Sequence, residues 1–247
     1  MVIEYDNEYY IEEEEEQHSA ILAILLLFIA EKEAIRLAMS EDVHAWYSKY
    51  GTQGVVTYMQ SRKLIPKTTL TRRASLLGQL NAKVDALGRA ERNFFVEVMQ
   101  TLYPDLERDT ILNTKWAADG LTFNDRVRRD VVELKHFMEK ELTSNLIRKD
   151  TADVLDDALA KKLKTIENRV VTRYQTEMVA LVNLHKQSEW KAAGIERYKF
   201  KAIMDERTSE ICREMNNKTF LLEELEVGIN APPLHPRCRS HIVPLRG

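Results

Sequence analysis

Residues that break regular structure are scarce in this chain. It has only 8 glycines and 6 prolines in 247 residues, and a sequence so poor in breakers and rich in Glu, Lys, Leu and Ala favours long helices. Cysteine is also sparse: the 2 present exclude a disulfide framework and point to a reducing compartment. No apolar run reaches the roughly 20 residues that a membrane-spanning helix needs. The longest, Ala20 to Ala30 (AILAILLLFIA), reads as a buried helix or one awaiting a partner. No basic segment opens the chain, since Met1 is followed by Glu4, Asp6 and Glu8, so no secretory signal is expected. Nor is there a strong excess of one charge. With Lys+Arg 36 against Asp+Glu 39 and a net charge of −3, the whole chain is not a general polyanion binder, and any nucleic-acid contact must come from a local basic face.

Hydrophobic residues make up 44% and charged residues 30%, an ordinary globular balance. The acidic block Glu12 to Glu16 suits either a solvated arm or a helix N-terminus. The pattern predicts a helix over about 13 to 49, apolar through Ile21–Ile29 and broken at Gly51 and Gly54. A second helical stretch covers Val55 to Arg62 and stops at Pro66. Helix resumes over about 70 to 102, with Leu76, Leu77, Leu80, Val84, Leu87 and Phe94 at spacings of three and four. Pro104 disfavours helix just before it. A short helix is predicted over 105 to 113. Another starts near Phe123 with Asn124 as N-cap and carries Val131, Leu134, Phe137, Met138 and Leu142. A long one over 150 to 191, capped by Asp150 or Thr151, presents Leu155, Leu159, Leu163, Ile166, Val170, Tyr174, Met178, Leu181 and Leu184. Gly194 stands where a left-handed C-terminal residue belongs.

Beyond Gly194 the character changes. Tyr198 to Met204 alternates as a strand does, and Thr219–Leu222 and His241–Leu245 suit two more short strands. Thr208 or Ser209 can cap a turn of helix carrying Cys212, and Asn216-Asn217 signals a turn. The expected fold is mainly α with a small C-terminal α+β module: long helices, then a short antiparallel sheet closed by a proline-rich clasp. The expected division is 1–119 (helical region), 120–194 (long-helix region) and 195–247 (α+β module).

The segment APPLHPRCRSHI, residues 231 to 242, is unlike a fraying chain end. It holds Pro232, Pro233, Pro236, His235, His241 and Cys238. Cys212, His235, Cys238 and His241 supply two sulfurs and two imidazoles, a zinc-type ligand set, and a structural zinc would staple a module with little core. The alternatives are a reduced buried cysteine pair or a Cys212–Cys238 disulfide. Cys238 and His235 also form a nucleophile–base pair on paper, but no glycine-rich oxyanion loop accompanies them. Asp205 can accept N–H bonds from the turn at Thr208, and Arg239 can pair with Asp205 or Glu177.

Taken in order, Asp205, Glu206, Arg207 and Thr208, then Cys212, then Asn217, Lys218, Thr219 and Phe220, then Pro232, Pro233, Leu234, His235, Pro236, Arg237, Cys238 and Arg239 resemble the phage head morphogenesis, or Mu F-like minor head, family. Thr176-Glu177 and Phe123–Val127 are similar to upstream family features. The family pattern is D-x-R-T, a Cys, G-K-x-F, then P-P-x-H-P-x-C-R, with Asn217 here in the place of a frequent Gly. Ser209 and Ser240 stand where many relatives have additional cysteines.

The resemblance implies a non-enzymatic assembly protein. It would bind the portal oligomer, with scaffolding or capsid protein and duplex DNA as further partners, enter the procapsid in the host cytoplasm, and reside inside the virion head during DNA packaging or ejection. Within it, Asp205, Arg207, Thr208, Cys212, Lys218, Phe220, Pro233, His235, Pro236, Cys238, Arg239 and Glu177 are the motif residues. Leu25, Leu26, Leu27 and Phe28 are the expected partner contact. Two alternatives belong to other classes: a small Cys/His or zinc-dependent enzyme acting on nucleic acid or protein, and a DNA-binding accessory factor. The latter would use the basic groups Arg62-Lys63, Lys67 and Arg72-Arg73; Arg126, Arg128 and Arg129; or Lys161, Lys162 and Lys164.

Overall fold

A computed structural model describes residues 33–34, 36–45, 48–49, 67–117, 119–148 and 151–245. The helix expected over 13 to 49 is therefore seen only in its last part, where residues 36–45 are helical. The Val55–Arg62 stretch, the apolar run Ala20–Ala30, and Arg62-Lys63 lie outside the described residues.

Four helices follow: α1 (Lys67–Leu102), α2 (Arg108–Asn113), α3 (Phe123–Arg148) and α4 (Ala152–Ala192). Their existence and order match the apolar periodicity. Helix α3 begins at Phe123, so Asn124 lies inside the first turn and is not the N-cap. An Asn124 cap would make Asp125 the first helical residue; the helix instead starts two residues earlier, at Phe123, whose ring is held against Phe95. Leu76, Leu80, Val84 and Leu87 of α1 are buried as their spacing predicts, but the fully buried aromatic is Phe95 and Phe94 is only partly covered.

The described residues form two compact units. One takes the described residues that fall within Leu25–Phe94 and Asp125–Asn168, and its core includes Met39, Leu76, Leu80, Val84, Leu134, Met138, Leu155 and Leu159. Ion pairs edge this core: Lys83 with Asp42 at 2.7 Å, Lys135 with Asp85 at 2.7 Å, and Arg36 with Glu33 at 2.7 Å.

The other unit comprises residues 95–124 and 169–245. Phe95 stacks on Phe123 with ring centroids 4.1 Å apart and on Tyr174 at 5.2 Å. The end of α4 is a Schellman motif. Gly194 has φ +71°, its N–H donates to the Lys191 carbonyl at 3.2 Å, and the Ile195 N–H donates to the Trp190 carbonyl at 2.9 Å. Trp190 and Ile195 both pack on the apolar cluster around Tyr198 and Ile242, so the cap also aims the chain into the sheet.

That sheet has order β2-β1-β3, with β1 (Arg197–Lys201) central and β2 (Thr219–Leu221) and β3 (His241–Leu245) antiparallel to it. Between β1 and β2 lies α5 (Glu210–Met215), and a 3-10 turn, Leu222–Glu224, follows β2. Strand alternation buries Tyr198 and Phe200 and leaves Arg197, Lys199 and Lys201 outside or at the edge. The fold is mainly helical with a short antiparallel sheet at its C-terminal end.

Candidate metal centre and clasp

Two constellations of motif residues occupy the C-terminal module. The first closes a loop by charge. Asp205 leaves β1 in a tight turn. Its carboxylate accepts from the Arg207 N–H at 2.9 Å, and its own N–H donates to the Thr208 hydroxyl at 2.8 Å. Arg239 then reaches the same carboxylate with both terminal nitrogens, at 2.7 and 2.6 Å. This bidentate geometry matches a planar guanidinium to a carboxylate. The Arg239 contact, with lesser help from the Arg207 N–H and the Thr208 hydroxyl, holds the Asp205 carboxyl well below its ordinary range. Of the two partners expected for Arg239, Asp205 is the one it takes. Arg213 completes the turn by donating to the Thr208 carbonyl at 3.1 Å and to the Asp205 carbonyl.

The second constellation is chemical. Ser209 caps α5, and its hydroxyl accepts from the Cys212 N–H at 3.4 Å. This places Cys212 one turn into the helix, facing inward. The clasp brings Cys238 to it with sulfurs 3.6 Å apart. His235 Nε2 lies 3.3 Å from Cys212 Sγ and 2.9 Å from Ser209 Oγ. The two thiols and the imidazole lie within 4.8 Å of one another, and both cysteines are buried and reduced. Phe200 shares their cluster, with Ala202, Met215, Phe220 and Leu234 packed around it. Burial pushes the Cys238 thiol up from its usual range.

The imidazole is oriented as well as placed. His235 Nδ1 is 2.9 Å from the Pro236 carbonyl oxygen, which can only accept, so Nδ1 carries the proton. In the neutral ring this leaves the Nε2 lone pair facing the serine and the cysteine. Such a backbone tether on the far nitrogen is what a metal-binding histidine ordinarily has.

His241, the fourth residue of the expected ligand set, is not in this group. It opens β3 opposite Lys201, next to the buried Ile242, and successive strand residues face opposite ways. Burial, with Lys186 and Lys201 nearby, lowers its pKa to about 4. The remaining motif residues have simpler positions. Phe220 tilts against Tyr198 at 5.6 Å. The Lys218 N–H donates to the Met215 carbonyl at 3.1 Å, and Asn217 takes φ 66° in the turn. Glu177 is buried and accepts from the Trp116 indole N–H at 2.5 Å.

Several residues that hold the clasp had no role assigned from the sequence. Arg237 adopts φ 59°. In that left-handed conformation its N–H donates to the Thr176 hydroxyl at 3.1 Å and its Nε to the Thr172 hydroxyl at 2.9 Å. The clasp is thus fastened to α4 at the threonine of the Thr176-Glu177 pair. Asn183, buried on α4, donates to the Pro232 carbonyl at 2.8 Å. Asn230 folds the preceding loop: it donates to the Glu224 carbonyl at 2.7 Å, and its side-chain oxygen accepts from the Glu226 N–H at 2.7 Å and the Tyr198 hydroxyl at 2.8 Å. The only available signal was that asparagines stood in an apolar helix face and in a loop, where an amide is retained for its hydrogen bonds.

Two lysines of one basic cluster, Lys161, Lys162 and Lys164, have acidic partners. Lys162 pairs with Glu133, and Lys164 pairs with Glu167 at 2.9 Å. No described helix is long and apolar enough to cross a membrane.

A family model described as Phage Mu protein F like protein matches residues 137–243. No match is found among the curated proteins or among the solved structures.

Proposed function

We propose, from the match of residues 137–243 to the family model described as Phage Mu protein F like protein, that the chain is a phage head morphogenesis protein that binds the portal oligomer, is incorporated in the procapsid, and assists DNA packaging or ejection. The observation that carries this reading is the coincidence of the family match with the motif itself. Asp205, Thr208 and Arg239 form one closed turn, and Cys212, His235 and Cys238 form one buried cluster within the matched region.

The proposed mechanism is binding, with no turnover. Asp205, Arg207, Thr208 and Arg239 have structural partners in the turn, and the module they close serves as an ordered anchor. The periodic apolar faces of α1, α3 and α4 are buried. The proposed partner contact is Leu25, Leu26, Leu27 and Phe28, on the strength of the apolar Ala20–Ala30 run, which lies outside the described residues. The proposed locations are the host cytoplasm during assembly and the interior of the virion head.

The test is co-expression with the portal protein of the same genome, affinity purification and native mass spectrometry. A defined portal oligomer carrying this chain is the expected product. No association while both partners are folded overturns the portal assignment. Leu26→Asp is expected to abolish association with the fold intact. If the variant unfolds instead, the run is core and the contact assignment fails.

A further inference from the structure

We propose that Cys212, Cys238 and His235 bind a zinc ion, with the fourth position facing Ser209 and filled by solvent. Three independent features support this. The first is donor spacing. Tetrahedral zinc with bonds of about 2.3 Å to sulfur and about 2.0–2.1 Å to nitrogen separates two sulfurs by about 3.8 Å, and a sulfur and a nitrogen by about 3.5 Å. Cys212 Sγ lies 3.6 Å from Cys238 Sγ and 3.3 Å from His235 Nε2, within a few tenths of an ångström of those separations, and all three donor atoms lie within 4.8 Å of one another. The second is lone-pair direction: the Pro236 carbonyl keeps the proton on Nδ1 and leaves Nε2 toward the sulfurs. The third is the shell. Phe200, Phe220, Met215 and Leu234 shield the thiolate side, while Ser209 supplies a hydroxyl 2.9 Å from Nε2 that can hold a bound water.

The charge and proton balance is simple. The two thiols lose their protons to solvent as two thiolate–zinc bonds form, the imidazole enters neutral, and the site becomes formally uncharged. The ion ties α5 to the clasp, closing the chain between residues 212 and 238. In a module with one three-stranded sheet, such a staple adds order that its small core supplies only in part. His241 takes no part, which distinguishes this set from the one read off the sequence. The inference stands apart from portal binding, because a zinc staple would suit the module whatever it docks against.

The experiment uses the full-length reduced chain, with two free thiols verified by titration. Zinc is measured by elemental analysis and native mass spectrometry, and cobalt(II) is added to the metal-free protein. One zinc per chain is expected, with a thiolate-to-cobalt charge-transfer band and visible bands of tetrahedral intensity. His235→Asn is expected to weaken binding by more than about a hundredfold, beyond the loss caused by removing a supporting group only. Ser209→Cys, which adds a third thiolate at the open position, is expected to tighten zinc binding at least tenfold and to strengthen the charge-transfer band. A folded, reduced chain that takes up neither metal overturns the proposal. So does metal uptake that survives Cys212→Ser with Cys238→Ser, and unchanged affinity in Ser209→Cys overturns the placement of the fourth position. Circular dichroism of each variant separates lost binding from lost folding.

Discussion

Two glycines of α1 provide a test with opposite signs on one helix. A Cβ added at Gly78 would meet nothing within 4 Å, whereas one added at Gly88 would sit 2.5 Å from Val131 Cγ2 on α3. Both substitutions by alanine gain the same helix propensity, about 0.8–1.0 kcal/mol. Gly78→Ala should therefore stabilise the protein by nearly that amount. At Gly88 the gain meets a clash, since carbon atoms prefer about 3.5–4.0 Å. Val131 cannot simply turn away, because a β-branched side chain in a helix has one strongly preferred rotamer. Overpacking of this kind costs about 1–3 kcal/mol, so Gly88→Ala should destabilise by about 0–2 kcal/mol net.

The difference between the two sites, about 1–3 kcal/mol, is the firmer quantity because the propensity gain cancels. Urea denaturation at constant m-value measures both. Removing the obstructing methyls should reverse the sign: in a Val131→Ala background, Gly88→Ala should stabilise by about 1 kcal/mol. Equal effects of Gly78→Ala and Gly88→Ala, or no coupling with Val131→Ala, would refute the close approach of α1 and α3 at this point.

Phe95→Ala removes one of three mutually stacked rings, Phe95, Phe123 and Tyr174, and should cost about 3–5 kcal/mol by denaturant titration. Asp205→Ala and Arg239→Ala should each lower the melting temperature modestly, as suits a partly exposed pair, and the double variant should melt no lower than the worse single; additive losses would show that the two do not act as a pair. His241 has a native pKa of about 4, below the roughly 6.5 of an unfolded histidine. Between those values the unfolded state binds more protons, so stability rises with pH there and is lost as pH falls from about 6.5 toward 4. His241→Gln should flatten that part of the pH–stability curve, and an unchanged slope would contradict burial of the neutral ring.

The amino-acid sequence by itself determined the local and periodic features. Spacings of three and four gave α1, α3 and α4, because a helix repeats its face every 3.6 residues whatever it packs against. Alternation marked β1, although the strand runs Arg197–Lys201 and does not reach Met204, and Gly194 and Asn217 marked left-handed positions, since few other residues adopt that conformation cheaply. Ser209 was one of two caps considered for α5, and the choice between Arg239's two partners was also open. In each case tertiary placement decided which one is used.

Only the tertiary structure separated His241 from the two cysteines and His235. Ligand spacing along a chain records which residues are near in sequence, while β3 turns neighbouring side chains to opposite faces. The same holds for Arg237, Asn183 and Trp116. Their partners lie 61 residues away for Arg237–Thr176, 49 for Asn183–Pro232 and 61 for Trp116–Glu177. No local pattern encodes a hydrogen bond across such a span. The clasp is proline-rich because of its sequence, and it is a clasp because α4 presents two threonine hydroxyls and an amide where it lands.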